Sequence, residues 1–328
     1  MTSMGRFALR AALATATLLA PSAAATVPQA GTIVGTFRLS PRDTPFDAAT
    51  AGRLFAVVVP PGGHRMTVLR ITRDGCVTKR RLAFGLASDV ANVSAGPDGL
   101  YAGTAVIHRF QHVPDQLVRI DVRTLRVVAR ASFGSSVAAV EQGRSLWASL
   151  GDGHVVRLDP RTLAIRASRR IASPLSAPAI GAGSLWVLAG DRPHLELVRI
   201  DPVRLTVRSR TRIGERMLRR AAIYAVAAGE GRVYLTGDAI VLVDAAGRLA
   251  SRLARVPGLA IADVEGSTLV GLVSAPPALI RLDSAGRVVA RTALHDAGSR
   301  LAVSGRDAWF VGDGGRGYGI VHVRLGSR

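Results

Sequence analysis

The chain has 328 residues, 48% of them hydrophobic, and a formal net charge of +20, enough apolar sequence for one large domain or two ordinary ones. Cys76 is the single cysteine, which excludes an intramolecular disulfide, a Cys-X-X-Cys pair and a cysteine-ligated zinc or cluster. Of the 43 basic residues only Lys79 is a lysine, so the charge reflects GC-rich coding as much as selection for a polyanionic partner.

The N-terminus reads as an export signal. Arg6 and Arg10 form a basic start, Ala11–Ala20 is a short apolar run, and Ala23 and Ala25 are small residues placed for cleavage after Ala25. That layout predicts a signal peptide over 1–25 and a secreted or extracytoplasmic mature chain. The apolar run is too short for a hydrocarbon core of roughly 30 Å, and no later segment is apolar for long enough, so no membrane span is expected. Removing residues 1–25 leaves a net charge of +18.

The next segment, Gly31–Ser40 ("GTIVGTFRLS"), is strand-like and has no partner of its own. Beyond it a short phrase recurs: "VRID" at Val118–Asp121, "VRLD" at Val156–Asp159, "VRID" at Val198–Asp201, "VLVD" at Val241–Asp244 and "IRLD" at Ile280–Asp283. "LRIT" at Leu69–Thr72 and "VHVR" at Val321–Arg324 bracket these, and the spacings from Thr72 to Arg324 are 49, 38, 42, 43, 39 and 41. In phase with them run Phe55, Tyr101, Trp147, Trp186, Tyr234, Val270 and Trp309. Each unit alternates with period two and breaks at Gly, Pro and Asp. In the third unit the strands are expected at Ser136–Val140, Ser145–Ser149, His154–Asp159 and Leu163–Ile171. Four short strands every forty-odd residues predict an all-β fold, a β-propeller of seven four-stranded antiparallel blades over 26–328. The last unit lacks its outer strand. Residues 31–40 are expected to supply it and close the ring.

The phrases "SLWASLGDGHVVRLDPRTL" and "SLWVLAGDRPHLELVRIDPVRL" resemble the secreted YVTN-type propellers and, more distantly, the virginiamycin-lyase-like propellers. The resemblance implies the fold over nearly the whole mature chain and leaves function open. The lyase type uses a His with acidic residues around a magnesium near the channel. Here His295 and Asp296 are not accompanied by a matching acidic set.

The repeated Asp residues are expected to organise turns, and the aromatic column to pack between blades. On the outer strands Arg166 and Arg170, and likewise Arg208, Arg210 and Arg212, fall on one strand face, which discourages edge-to-edge pairing and could contact a polyanion non-specifically. The histidines are more selective. His64, His108, His112, His154 and His194 are expected in second-to-third strand loops and His295 in a connection between blades, all on one face of the ring. "GD" pairs place Asp152, Asp191, Asp238 and Asp313 at the same loops. The ligand-binding candidates are His108, His112, Asp115, Asp152, His154, Asp191, His194, Arg219 and Arg220. No cofactor is expected. A divalent magnesium or calcium would fall to His108 and His112. The leading reading is a non-catalytic, monomeric scaffold that binds a protein or small-molecule ligand on this face. The alternative is a metal-assisted lyase or hydrolase using His108, His112, His154 and Asp152, and a weaker one is polyanion binding through the outer-strand arginines.

Overall fold

The computed structural model describes residues 29–326, apart from 40–43, 51–53, 60–64, 73–75, 84–88, 106–114, 143–144, 173–175, 191–192, 216, 218–222, 230, 238, 245, 255–258, 266–267, 275, 284–285, 297–298 and 314–317. The expected signal peptide therefore lies outside the described residues. Among those described, the strands form four-stranded antiparallel sheets. Sheet 1 is β2 (Thr44–Thr50), β3 (Leu54–Val59), β4 (Arg65–Ile71) and β5 (Val77–Ala83). Sheet 2 is β6 (Asp89–Gly96), β7 (Gly99–Ala105), β8 (Asp115–Ile120) and β9 (Val127–Phe133). Sheet 3 is β10 (Val137–Gln142), β11 (Ser145–Leu150), β12 (His154–Leu158) and β13 (Ile165–Arg170). Sheet 4 is β14 (Ala179–Gly181), β15 (Ser184–Ala189), β16 (Glu196–Ile200) and β17 (Val207–Arg212). Sheet 5 is β18 (Ile223–Gly229), β19 (Arg232–Gly237), β20 (Ile240–Val243) and β21 (Leu249–Ala254). Sheet 6 is β22 (Leu259–Glu265), β23 (Thr268–Ser274), β24 (Pro277–Leu282) and β25 (Val288–Ala293). The last sheet joins β26 (Ser299–Ser304), β27 (Asp307–Asp313) and β28 (Tyr318–Leu325) to β1 (Gly31–Arg38), which lies antiparallel to β28 with Gly31 opposite Leu325 and Arg38 opposite Gly319.

The first strand of each sheet from β2 onward touches the first strand of the next, and β26 touches β2. The fold is a β-propeller. Its core is divided among the seams between sheets. Tyr101, Leu117, Leu146, Val156 and Leu163 fill the seam between sheets 2 and 3, while Trp147, Val155, Leu185, Val187 and Val198 fill the next. Second and third strands are apolar on both faces because each is covered by two neighbouring sheets, as the burial of all six β15 residues shows.

The recurring phrase has a separate job for each residue. Its Asp organises the turn to the outer strand. The Asp159 carboxylate accepts the backbone N–H of Arg161 and of Thr162, both at 2.9 Å, and Asp201 does the same for Val203 and Arg204. Four residues on, Leu125, Leu163 and Leu205 adopt left-handed φ of 54°, 62° and 54° and are buried. Burial of an apolar side chain in the seam outweighs a backbone strain of order 1–3 kcal/mol. Leu163, expected to start the outer strand, is therefore the last turn residue, and β13 begins at Ile165.

In sheets 1, 2 and 3 the Arg of the phrase ties the sheet to its successor. It stands opposite the aromatic column, with Trp147 facing Arg157 and Tyr101 facing Arg119. Arg70 donates to the carbonyls of Val122 and Arg123, Arg119 to that of Arg161, and Arg157 to that of Val203. The aromatics follow the same rule: Tyr101 Oη donates to Pro160 O (2.9 Å) and Trp147 Nε1 to Pro202 O (2.8 Å). Each acceptor lies in the turn that the next sheet's Asp has built. Sheet 5 departs because its turn reads Asp-Ala-Ala-Gly-Arg. There Ser209 and Thr211 reach Ala246 O and Gly247 O, and Gly247, at φ 90°, lets the Trp186 ring pack close. The last sheet places His322 at the Arg position, stacked on Trp309 at 4.9 Å and bonded through Nε2 to buried Asp307 at 2.9 Å.

Candidate functional site

Second-to-third strand loops and connections between sheets share one face. Gly151 N–H donates to Ser136 O, Ile171 N–H to Gly153 O and Ile213 N–H to Leu195 O, so the two kinds of segment are pinned together. Of the candidate residues, Asp152, His154 and His194 are described on this face. His108, His112, Asp191, Arg219 and Arg220 lie outside the described residues, as do His64 and Asp238. Asp115 is the first residue of β8. Asp313 ends β27 and does not open a loop. His154 likewise opens β12, because the Gly151–Gly153 turn is short enough for pairing to resume at once.

The described part of the face has two adjacent clusters. In sheet 3 the turn closes through Gly153 N–H to Leu150 O, with Gly153 at φ 95°. Asp152 then accepts the His154 N–H at 3.0 Å and lies 3.1 Å from its Nδ1, with side chains 51% and 36% exposed. Burial opposes charge on Asp152, but the amide and imidazole of His154 and the field of Arg170 outweigh it and hold the carboxyl below its ordinary range. Arg170 stands directly opposite His154 across the β12–β13 pair.

In sheet 4 the turn needs Gly190, which sits at φ 85° and whose absent Cβ would meet His194 O at 2.7 Å. It delivers an exposed His194, to whose Nδ1 Arg212 donates at 3.2 Å. A guanidinium can only donate, so in this arrangement Nδ1 is the acceptor and the ring proton sits on Nε2. Beside it Arg210 bonds Glu196 at 3.1 Å and the carbonyl of Ile171 at 2.9 Å. That last bond couples the clusters, since Ile171 follows Arg170. The edge thus carries two imidazoles and three guanidiniums against Asp152 and Glu196, a surface of donors suited to carboxylate or phosphate groups.

Arg170, Arg210 and Arg212 were read from the sequence only as outer-strand charge. Their closeness to the histidines depends on the turn bulge between Arg157 and Leu158, and its counterpart between Arg199 and Ile200, which shift the register by one residue. Two "GD" loops each followed by a His were the visible signal. Among the described residues no three His, Cys, Asp or Glu side chains are grouped to hold a metal ion, and no helix is long and apolar enough to cross a membrane.

No protein-family model matches the chain, and no curated protein matches it in sequence. Solved structures do. BamB from Moraxella catarrhalis is 13% identical with a TM-score of 0.58, covering 90% of this chain and 100% of its own. The computationally designed Ika8 protein is 11% identical, also with a TM-score of 0.58, covering 90% of this chain and 99% of its own. At these identities the likeness shows the fold, a β-propeller, and nothing about ligands.

Proposed function

We propose that the chain is an exported seven-bladed propeller, closed by β1 and related to the secreted YVTN-type repeats, that acts as a non-catalytic scaffold and binds an acidic ligand or partner on its loop face. The arrangement supporting the ring is the antiparallel β1–β28 pair together with the cycle of contacts between first strands. Export rests on the residues at 1–25.

The single observation carrying the binding assignment is the His154–Asp152–Arg170 and His194–Arg212 edge, where donors cluster without any framework duty. Trp147, Arg157 and Asp159 in the same blade are each consumed by a seam or a turn. Among the described residues His154 and Arg170 make no hydrogen bond or ion pair with a neighbouring sheet, and neither is repeated at its position in most blades.

Arg170→Glu combined with Arg212→Glu tests this. Partners captured on the immobilised parent from an extracytoplasmic extract should be lost by the double variant and kept by Arg248→Glu with Arg287→Glu, which places the same charge change at the turns of sheets 5 and 6. Equal capture by both double variants would refute the loop face.

A further inference from the structure

We propose that the opposite rim, formed by the turns into β9, β13 and β17 and the first residues of those strands, docks on an anionic lipid bilayer. This surface is distinct from the loop face and does not depend on that reading.

Two independent features coincide there. The first is charge. Segments 121–130, 159–170 and 201–212 contain eleven exposed arginines against three aspartates, and each aspartate is engaged inside its own turn. Six of the eleven lie at this rim: Arg123, Arg126, Arg161, Arg166, Arg204 and Arg208. Asp159 and Asp201 pair with Arg166 and Arg208, and Arg161 stands 3.7 Å from Asp98. Among the described residues Arg126 and Arg204 make no ion pair, so the rim keeps a local excess of positive charge.

The second is apolar exposure. Val128, Ile165, Val203 and Val207 sit among those arginines and are 51%, 55%, 67% and 37% exposed. Val203, at the tip of its turn, is the most exposed large aliphatic side chain among the described residues. Alternating guanidiniums and branched aliphatics match a phospholipid interface, where phosphates accept bidentate hydrogen bonds and short apolar groups enter the headgroup–acyl boundary. A single-stranded nucleic acid would call for aromatic stacking platforms, and the three segments contain no aromatic residue. A duplex would engage the arginines and leave the aliphatics unused.

The rim is also preorganised. Its turns are held internally by the Asp carboxylates and externally by Arg70, Arg119 and Arg157 of the preceding sheets. Three copies of one rigid turn therefore face outward along an arc, and docking orders little new backbone.

The test is sedimentation with vesicles of phosphatidylcholine alone or with 30 mol% phosphatidylglycerol, beside a duplex DNA of matched charge as a separate probe. The full mature chain should pellet with the anionic vesicles only, and 0.5 M salt should release it. Arg123→Gln, Arg126→Gln and Arg204→Gln together should weaken vesicle binding by about a hundredfold, at about fivefold per arginine. Arg287→Gln, on sheet 6, should leave it unchanged. Val203→Ser with Ile165→Ser should weaken vesicle binding severalfold and leave DNA binding as it was. Equal pelleting with both vesicle types, full binding by the triple variant, or indifference of vesicle binding to the serine pair would each overturn the proposal. The last result would point to a polyanion rather than a bilayer. The salt and lipid-composition arms use the unaltered protein, so they stand even if a variant fails to fold.

Discussion

Trp147 and Asp201 show how individual side chains hold this ring. The Trp147 ring packs in the seam between sheets 3 and 4, and its Nε1–H reaches across to Pro202 O. Trp147→Phe keeps most of the ring and leaves that carbonyl short of a donor, a loss of about 1–2 kcal/mol by denaturant titration. An unchanged midpoint would mean the cross-sheet bond contributes nothing. Asp201 accepts the amides of Arg204 and Val203 and pairs with Arg208, which together hold its carboxyl down to about 2. Asp159 and Asp244 are lowered by a like pairing of turn amides with an arginine, and Asp121 by the amide and hydroxyl of Thr124. Groups whose folded pKa is depressed stabilise the native state above the ordinary carboxyl pKa of about 3.9, and that stabilisation is lost as pH falls toward 2. Thermal melts should therefore show the parent losing stability between about pH 4.5 and 2. Asp201→Asn should be less stable than the parent at pH 6, with the gap closing as pH approaches 2. A gap that does not depend on pH would assign the effect to shape and not to charge.

At the scale of the element, the repeated phrase disclosed the strands but not the ties between them. Period-two patterning located β11 and β12 closely, since both start where expected at Ser145 and His154. It misplaced the start of β13 because Leu163 looks like a strand residue and is a turn residue, its side chain buried while its backbone is left-handed. The role of the phrase's Arg was not legible at all. Its partner is a carbonyl 42 to 53 residues away in another sheet, and no local pattern encodes a contact between sheets. β1 raises the same issue with a sharper test. It runs so close to β28 that a Cβ on Gly319 would collide with the Phe37 carbonyl, and its start is clamped by Thr292 Oγ1, which donates to Gly31 O and accepts Gly31 N–H, both at 2.9 Å. Gly319→Ala should cost about 1–3 kcal/mol, the range for overpacking. Gly214→Ala, whose added Cβ meets nothing within 4 Å, should be near neutral. Equal stability of the two variants would argue against a tightly laid β1.

For the whole molecule, the division of labour follows from what repeats. Residues that recur from blade to blade are spent on turns and seams, while those that do not recur gather at the ends of the sheets. One end carries His154, His194, Arg170 and Arg212, and the other presents arginines among exposed valines. Half of this site could be read in the sequence, because histidines in loops of one parity must share a face. The arginines could not, because a one-residue bulge decides which of them lies opposite a histidine. The most direct measurement is a histidine-resolved NMR titration of the protein with a short oligoglutamate peptide. The ring signals of His154 and His194 should shift together and saturate, while those of buried His322 stay fixed. Shifts absent from both, or shared equally with His295 on sheet 6, would contradict the loop-face assignment.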